Sequence, residues 1–168
     1  PLYVVHLSSK IGLSYIKMAT ERGENVYAET CPQYLVLDDS KYEEDNNEGL
    51  KYIMSPPLRK REDIEALWKG INDGYIKTIA TDHCPFSFNT DKQLGKNDFT
   101  KCPNGAPGIE ERMPLIFSEG VMKNKISINK FVEVCSTNPS KIFGLYPKKG
   151  TIQVGADGDI VIVDPNIE

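Results

Sequence analysis

Histidine is scarce in this sequence, which contains only two, His6 and His83, among 168 residues. A metal centre built from three or more histidines is a common arrangement in zinc enzymes, and two imidazoles cannot supply it. A complete metal centre therefore needs carboxylates or residues beyond those of this chain.

The four cysteines are widely separated, at positions 31, 84, 102 and 135, and no CxxC pair occurs. This spacing excludes a zinc knuckle and a thioredoxin-like redox motif. A reducing cytoplasm is the compartment that best fits such cysteine usage. We expect Cys31 and Cys84 to pack as small buried thiols rather than to bind metal.

Long apolar runs are also absent. No segment approaches the roughly 18 residues of a membrane-spanning helix, and the start, PLYVVH, lacks the basic region of a signal peptide. That start lacks methionine and opens directly on an apolar run, so we expect the chain to begin inside a larger domain. The sequence predicts no membrane segment.

The net charge is −4, and the lysines are scattered among acidic residues. Nucleic-acid binding needs a basic stripe that neutralises phosphates, so this charge pattern argues against a nucleic-acid partner. A content of 39% hydrophobic and 26% charged residues is typical of a soluble chain with one sizeable core. Small molecules and other proteins remain as partners.

The first half of the chain favours three strands with two helices between them. The strand segments are LYVVHL (2–7), NVYAET (25–30) and a run ending in TIAT (78–81). One helix follows the N-cap candidates Ser8 and Ser9 and stops before Gly23. The other, KREDIEALWKGINDG, has an apolar face made of Ile64, Leu67, Trp68 and Ile71. The alternation predicts an α/β fold with a parallel sheet and right-handed crossovers.

The second half reads as a long loop followed by helices and a hairpin. Residues 84–108 are irregular and rich in Pro, Gly, Asn and Lys, and a loop of that length after a strand is usually functional. Helical patterns resume near 109–122, 128–135 and 139–143. The tail, KKGTIQVGADGDIVIVDPN, has two short apolar stretches around a GADGD turn, which predicts a β-hairpin outside the parallel sheet.

Two chemically capable side chains follow strands of the predicted sheet. His6 lies at the carboxyl end of the first strand, and Asp82, within TIATDHCPF, at the carboxyl end of the third. Because parallel strands end at the same edge, both side chains are expected to open into one crevice. Two interpretations stay open: Asp82 binds a metal and moves a proton, or it belongs to an ordinary polar strand end. A single histidine beside a strand end is more often structural than a ligand.

Six motifs occur in one order along the chain. They are HLSS, ETCPQYL, YIMSPPLR, ATDHCPF, NDFTKCPNGAPGIEER and NPSKIFGLYPKKGTIQVGADGDIVIVDP. Together they resemble the carboxyl-terminal half of the dihydropyrimidinase and D-hydantoinase family of cyclic amidohydrolases. The resemblance implies that residues 1–146 are part of a metal-dependent TIM (β/α)8 barrel, namely strands 6–8 with their helices. Residues 147–168 would then contribute a carboxyl-terminal β-hairpin to a small β-sandwich domain.

The same resemblance implies roles for four residues. In the family, two divalent ions, usually zinc, are bridged by a carboxylated lysine that cannot be placed in this chain. His6 matches a ligand of one ion, and Asp82 matches the residue that binds the other ion and takes a proton from the attacking water. Ser55 and Asn104 match positions that hold the cyclic amide, largely through backbone groups. Imidazole and carboxylate suit zinc, and two ions lower the pKa of a bridging water.

The implied reaction is hydrolysis of a dihydropyrimidine or 5-substituted hydantoin to an N-carbamoyl amino acid by a full-length enzyme. Such an enzyme would bind a small cyclic amide, neither nucleic acid nor membrane, and would assemble as a homotetramer. The alternative is a non-enzymatic assembly protein like the collapsin response mediator proteins, which share the fold. Those proteins lack the metal ligands that appear here as His6 and Asp82, so the two residues favour the enzyme. A folded remnant without activity is a third possibility.

We expect the purified 168-residue chain to hydrolyse neither 5,6-dihydrouracil nor a 5-substituted hydantoin, even with added zinc. The family's HxH pair, bridging lysine, further histidine and oxyanion-stabilising tyrosine belong to the first half of the barrel and are missing, so the metal site would be incomplete. Product formation measured with and without chelator tests this expectation. Metal-dependent turnover by the chain alone would contradict it.

Overall fold

The structure, a computed structural model, describes residues 1–165. The strands are β1 (Leu2–Val4), β2 (Val26–Thr30) and β3 (Thr78–Ile79). The α-helices are α1 (Lys10–Glu21), α2 (Gln33–Val36), α3 (Arg61–Asn72), α4 (Arg112–Ile116), α5 (Ile128–Val132) and α6 (Asn138–Ile142). Short 3₁₀ helices cover Asp39–Glu43, Glu48–Tyr52, Lys92–Gly95 and Phe99–Lys101, and π-helical turns cover Phe117–Met122 and Glu133–Thr137.

The three strands form a parallel sheet in the order β1-β2-β3, as predicted. Leu2 pairs with Val26, and Thr30 pairs with Ile79, so β2 lies between its two neighbours. β1 and β3 are shorter than their predicted segments. Backbone hydrogen bonds nevertheless continue past the strand ends, from Leu7 N to Glu29 O at 2.7 Å and from Ala80 N to Thr30 O at 3.0 Å. The carboxyl ends of β1 and β3 are therefore held by consecutive carbonyl groups of β2.

The helices between the strands have residues at their ends that favour helix initiation or termination. Ser9 caps α1, since its hydroxyl accepts a hydrogen bond from Gly12 N at 3.1 Å, and Gly23 follows the helix with a φ of 78°. At α3, one carboxylate serves two helix starts: Asp63 accepts from Lys60 N at 3.1 Å and from Lys10 N at 2.7 Å. Asp63 thus links the first turns of α1 and α3.

The core lies where α3 packs against α1 and α2 beneath the sheet. The predicted apolar face of α3 is buried: Ile64, Leu67, Trp68 and Ile71. The indole of Trp68 also finds a polar partner, because its Nε1–H donates to Leu35 O at 3.0 Å. The 3.6-residue period of this segment therefore identified both the helix and the side that it buries.

The last helices differ in detail from the predicted ones. α4 begins at Arg112 rather than Ile109 and continues as a π-helical turn to Met122. α5 likewise continues through a π-helical turn into α6, which contains Pro139. A proline has no N–H to donate to the preceding turn, and a wider turn before it accommodates that loss.

The predicted hairpin in the tail is wrong for the residues that the structure describes: positions 151–165 contain bends and turns but no strand. Their apolar side chains are exposed, Val161 to 73% and Ile162 to 93%. A strand exists only where its backbone pairs with a neighbour, and the described chain offers this stretch none. Residues 166–168 of the predicted hairpin lie outside the described residues. The division of the chain between residues 146 and 147 stays a prediction.

No helix within residues 1–165 has both the length and the apolar character of a membrane span.

We expect Leu67→Ala to lower the free energy of unfolding by about 2–5 kcal/mol, because Leu67 is fully buried at 0% exposure and its truncation leaves a cavity. Leu94→Ala is the matched control, since the same atoms are removed from a side chain that is 62% exposed. Its effect should stay within about 0.5 kcal/mol. Urea denaturation of the two variants measures the difference, and equal losses would contradict the assignment of the core.

Candidate active site

His6 follows β1 in a left-handed backbone conformation, with a φ of 39°. The turn is fixed on both sides of the next residue: Leu7 N donates to Glu29 O at 2.7 Å, and Leu7 O accepts from the Thr30 hydroxyl at 2.7 Å. A non-glycine residue pays about 1–3 kcal/mol for such a conformation. β2 therefore holds His6 in a geometry that the isolated segment would avoid.

Asp82 follows β3 in the same unusual conformation, with a φ of 50°, and its side chain is exposed. The preceding carbonyl, Thr81 O, accepts a hydrogen bond from Gln33 Nε2 at 3.3 Å, and Arg112 Nη1 donates to Ile79 O at 2.9 Å. The two predicted metal ligands thus share one edge of the sheet and one strained backbone conformation. Strain of this kind concentrates at functional sites.

The imidazole of His6 has a buried nitrogen without a partner. Its Nδ1 is the one buried side-chain nitrogen or oxygen that finds no hydrogen bond among residues 1–165. Buried polar atoms are nearly always satisfied, and an unsatisfied imidazole nitrogen suits a metal or another donor. The described residues contain no group of three or more His, Cys, Asp or Glu side chains able to hold an ion. His6 and Asp82 therefore stay predicted ligands, and the described residues do not by themselves complete a metal site.

His83 makes structural contacts. Its Nδ1 accepts hydrogen bonds from Gly108 N at 3.1 Å and Ile109 N at 3.4 Å. Its backbone also forms an isolated parallel β-bridge with Ala106. Cys84 N donates to Ala106 O at 3.0 Å and continues the contact. The segment after Asp82 is therefore bound to the loop that precedes α4.

The two cysteines expected to pack behave differently. Cys31 is fully buried, and burial raises the pKa of its thiol, which keeps it protonated and inert. Cys84 is exposed, so the expectation of burial is wrong there. The difference arises because Cys31 follows the central strand, whereas Cys84 lies in the stretch 82–87, in which every residue is exposed.

The predicted substrate-binding residues, Ser55 and Asn104, are exposed and lie on two loops that touch. The contact is a hydrogen bond from Gly105 N to Ile53 O at 3.1 Å. Since Cys84 N also bonds to the loop of Asn104, three segments meet at this edge of the sheet. The structure therefore gathers the loops that carry Ser55, Asp82 and Asn104.

Lys92 is a residue of this region that the sequence did not point to. Its side chain is buried, with 2% exposure, and its Nζ donates to Ile53 O at 2.7 Å, Pro103 O at 2.7 Å and Gly105 O at 2.8 Å. A lysine within a loop rich in polar residues is typical of a solvated surface. Only its position inside the long 84–108 segment gave any signal.

A separate cavity lies beside the sheet. It has a volume of about 400 Å³ and is lined by side chains of all three strands, including Tyr3, Glu29 and Thr78. The Tyr3 hydroxyl donates to Glu29 Oε2 at 2.8 Å and lies 2.6 Å from Thr78 Oγ1. None of the predicted site residues lines it. Burial raises the pKa of Tyr3, so this network offers no phenolate at neutral pH.

Comparison with known proteins decides the family, because the profile of the amidohydrolase family matches residues 5–168. The chain belongs to the amidohydrolase family. D-phenylhydantoinase of Escherichia coli O1:K1 is 52% identical over 165 residues, which are 98% of this chain and 35% of the relative. This amidohydrolase chain therefore spans about a third of the length of the curated relatives that it matches.

Solved structures confirm the fold that the six motifs implied. A D-hydantoinase is 52% identical with a TM-score of 0.96, over 99% of this chain and 36% of that one. The dihydropyrimidinase of Brevibacillus agri is 53% identical with a TM-score of 0.91, over 94% of this chain and 34% of that one. The L-hydantoinase of Arthrobacter aurescens is 37% identical with a TM-score of 0.84, over 94% and 34%. The three strands are a sector of the TIM barrel of these amidohydrolases, and the resemblance to hydantoinases and dihydropyrimidinases is confirmed.

Members of the amidohydrolase family generally bind divalent metal ions. The unsatisfied Nδ1 of His6 and the carboxylate of Asp82 are donor types that such ions accept. The residues present therefore fit a part of the family's metal centre.

We expect Gly105→Ala to separate the loops of Asn104 and Cys84. Gly105 has a φ of 152°, and a Cβ there would come within 2.3 Å of Cys84 O, so the conformation alone costs about 1–3 kcal/mol and the clash adds to it. Gly158→Ala is the control, because a Cβ at that position meets nothing within 4 Å. Thermal unfolding and exchange of the Cys84 amide measure the effect. Equal unfolding temperatures and equal Cys84 amide exchange in the two variants would contradict the close approach of Gly105 to Cys84 O.

Proposed function

We propose that this chain is the carboxyl-terminal part of a hydrolase that opens cyclic amides, 5,6-dihydrouracil and 5-substituted hydantoins, to N-carbamoyl amino acids. The observation that carries the proposal is the pairing of His6 and Asp82, both left-handed, at one edge of the parallel sheet. Its support from outside the chain is the 52% identity to D-phenylhydantoinase. The ring preference and stereochemistry stay open, since relatives named D- and L-hydantoinase both resemble it.

His6 is the proposed ligand of one of two divalent ions. Its Nδ1 is buried and without a hydrogen-bond donor among the described residues, so a metal would satisfy it. We infer that the ions are zinc and that a carboxylated lysine outside this chain bridges them. When bound, such a pair of ions acidifies water and polarises the carbonyl of the substrate.

Asp82 is the proposed second ligand and the proton carrier. Its exposed carboxylate lies beyond the end of β3, where a ring held by the neighbouring loops would be reached. Water oxygen bonds to the ring carbonyl carbon, Asp82 accepts the proton of that water, and the proton passes to the ring nitrogen as the C–N bond breaks. The carboxylate is regenerated at the end of the cycle.

Ser55 and Asn104 are the proposed contacts for the amide group of the ring. Both are exposed at the same edge as Asp82, and the hydrogen bond from Gly105 N to Ile53 O keeps their loops together. Backbone N–H and C=O groups at these two positions complement the C=O and N–H groups of a cyclic amide. The side chains of the two residues therefore matter less than the positions of their backbones.

The wider setting of the enzyme is also part of the proposal. All four cysteines are free, which agrees with a reducing cytoplasm. The proposed full-length enzyme is a homotetramer whose partner molecules are small cyclic amides.

We expect Asp82→Asn, in the full-length protein that carries this sequence, to lower kcat by about 10²- to 10⁴-fold or more. The amide is isosteric with the carboxylate but neutral and a poor base. Ser55→Ala is the matched control, and its effect on kcat and KM should be much smaller because the backbone provides the contact. Steady-state hydrolysis of dihydrouracil and of a 5-substituted hydantoin, with metal content determined for each variant, measures both.

Near-normal turnover and full metal occupancy in Asp82→Asn would refute the catalytic assignment. A loss of stability without a selective loss of turnover would make Asp82 a structural residue.

A further inference from the structure

The ammonium group of Lys92 is an unusual feature, because it is a buried charge surrounded by neutral oxygen atoms. Its Nζ donates three hydrogen bonds of 2.7, 2.7 and 2.8 Å, which use all three of its N–H groups. Among residues 1–165 it forms no ion pair with a carboxylate. Burial lowers the pKa of Lys92, while the three carbonyl groups favour its charged form. The hydrogen bonds of this buried ammonium therefore all go to backbone carbonyl groups.

The three carbonyl groups belong to two loops. Ile53 lies two residues before Ser55, and Pro103 and Gly105 flank Asn104. Gly105 N donates to the same Ile53 oxygen that accepts from Lys92. One ammonium thus fixes the backbone on both sides of Asn104 and close to Ser55.

Lys92 also contacts the segment that contains Asp82. Its Nζ lies 5.5 Å from the centroid of the Phe86 ring, a distance at which a cation is attracted to an aromatic face. Phe86 is four residues after Asp82 in the same irregular segment. Lys92 therefore touches all three loops that meet at the candidate active site.

We propose that Lys92 is a positioning residue that joins the loops of Ser55 and Asn104 and so sets the spacing of the backbone groups that hold the cyclic amide. This proposal rests on the proposed function of the site. Lys92 does not touch the reacting atoms, because its Nζ is enclosed by protein oxygens and the side chain is 2% exposed. The ammonium also polarises the peptide group between Pro103 and Asn104, which makes the Asn104 N–H a stronger donor.

The test is Lys92→Met in the full-length protein. Methionine keeps much of the length of the side chain but donates no hydrogen bond. Loops that hold the ring alike in the ground state and the transition state contribute mainly to binding, so KM for both substrate rings should rise by about tenfold or more while kcat per metal-loaded site changes much less. Lys96→Met is the control, since Lys96 is exposed in the turn that follows Lys92–Gly95, and its KM should equal that of the parent.

Hydrogen exchange supplies a readout that does not depend on turnover. The Gly105 amide should lose protection in Lys92→Met, while the Leu7 amide, which donates to Glu29 O at the sheet, keeps it. Equal loss at both amides would mean general destabilisation and would overturn the proposal. An unchanged KM in folded, metal-loaded Lys92→Met would overturn it as well.

A second variant, Lys92→Gln, tests the same proposal if Lys92→Met does not fold. Lys92→Gln retains a shorter side chain with two N–H groups, and the same rise in KM and the same selective loss at Gly105 are expected from it. If neither ring is hydrolysed by the parent protein, the proposed function fails and the binding role of Lys92 fails with it. If the parent is active and both Lys92 variants keep the parental KM, only the proposal for Lys92 fails.

Discussion

The parallel pairing of β2 with β1 on one side and with β3 on the other is the interaction on which the candidate site depends. Consecutive carbonyl groups of Glu29 and Thr30 accept hydrogen bonds from Leu7 and Ala80, which belong to opposite neighbours. The carboxyl end of β2 therefore anchors both the segment that carries His6 and the segment that carries Asp82. The helices and the core support this arrangement by burying the other side of the sheet, but the placement of His6 and Asp82 comes from backbone hydrogen bonds.

Much of this organisation could be read from the sequence, because it follows from local patterns. A continuous apolar run before His6, and the 3.6-residue period around Leu67, each specify an element and the side that it buries. The order of the elements then requires a parallel sheet whose carboxyl ends meet at one edge. This is why the positions of His6 and Asp82 could be placed together without any knowledge of distances.

The remainder depends on contacts between distant segments, which leave no periodic signal. Lys92 is buried because carbonyl groups of two other loops converge on it, and nothing in its own neighbours distinguishes it from a surface lysine. Cys84 is exposed although cysteine is usually buried, since no other segment of the described chain covers the stretch 82–87 that carries it. In the tail, the two apolar stretches are present, but a strand requires a partner strand, and an apolar stretch alone does not supply one.

The left-handed conformation of His6 and Asp82 also restricts which amino acids are compatible with these two positions. Branched and bulky side chains are rarely compatible with positive φ, whereas Gly, Asn, Asp and His tolerate it best. Histidine and aspartate are also residues that divalent metals favour. The backbone thus selects, on steric grounds, a short set of residues in which metal-binding side chains are already over-represented, so conformation and chemistry restrict the same two positions in the same direction.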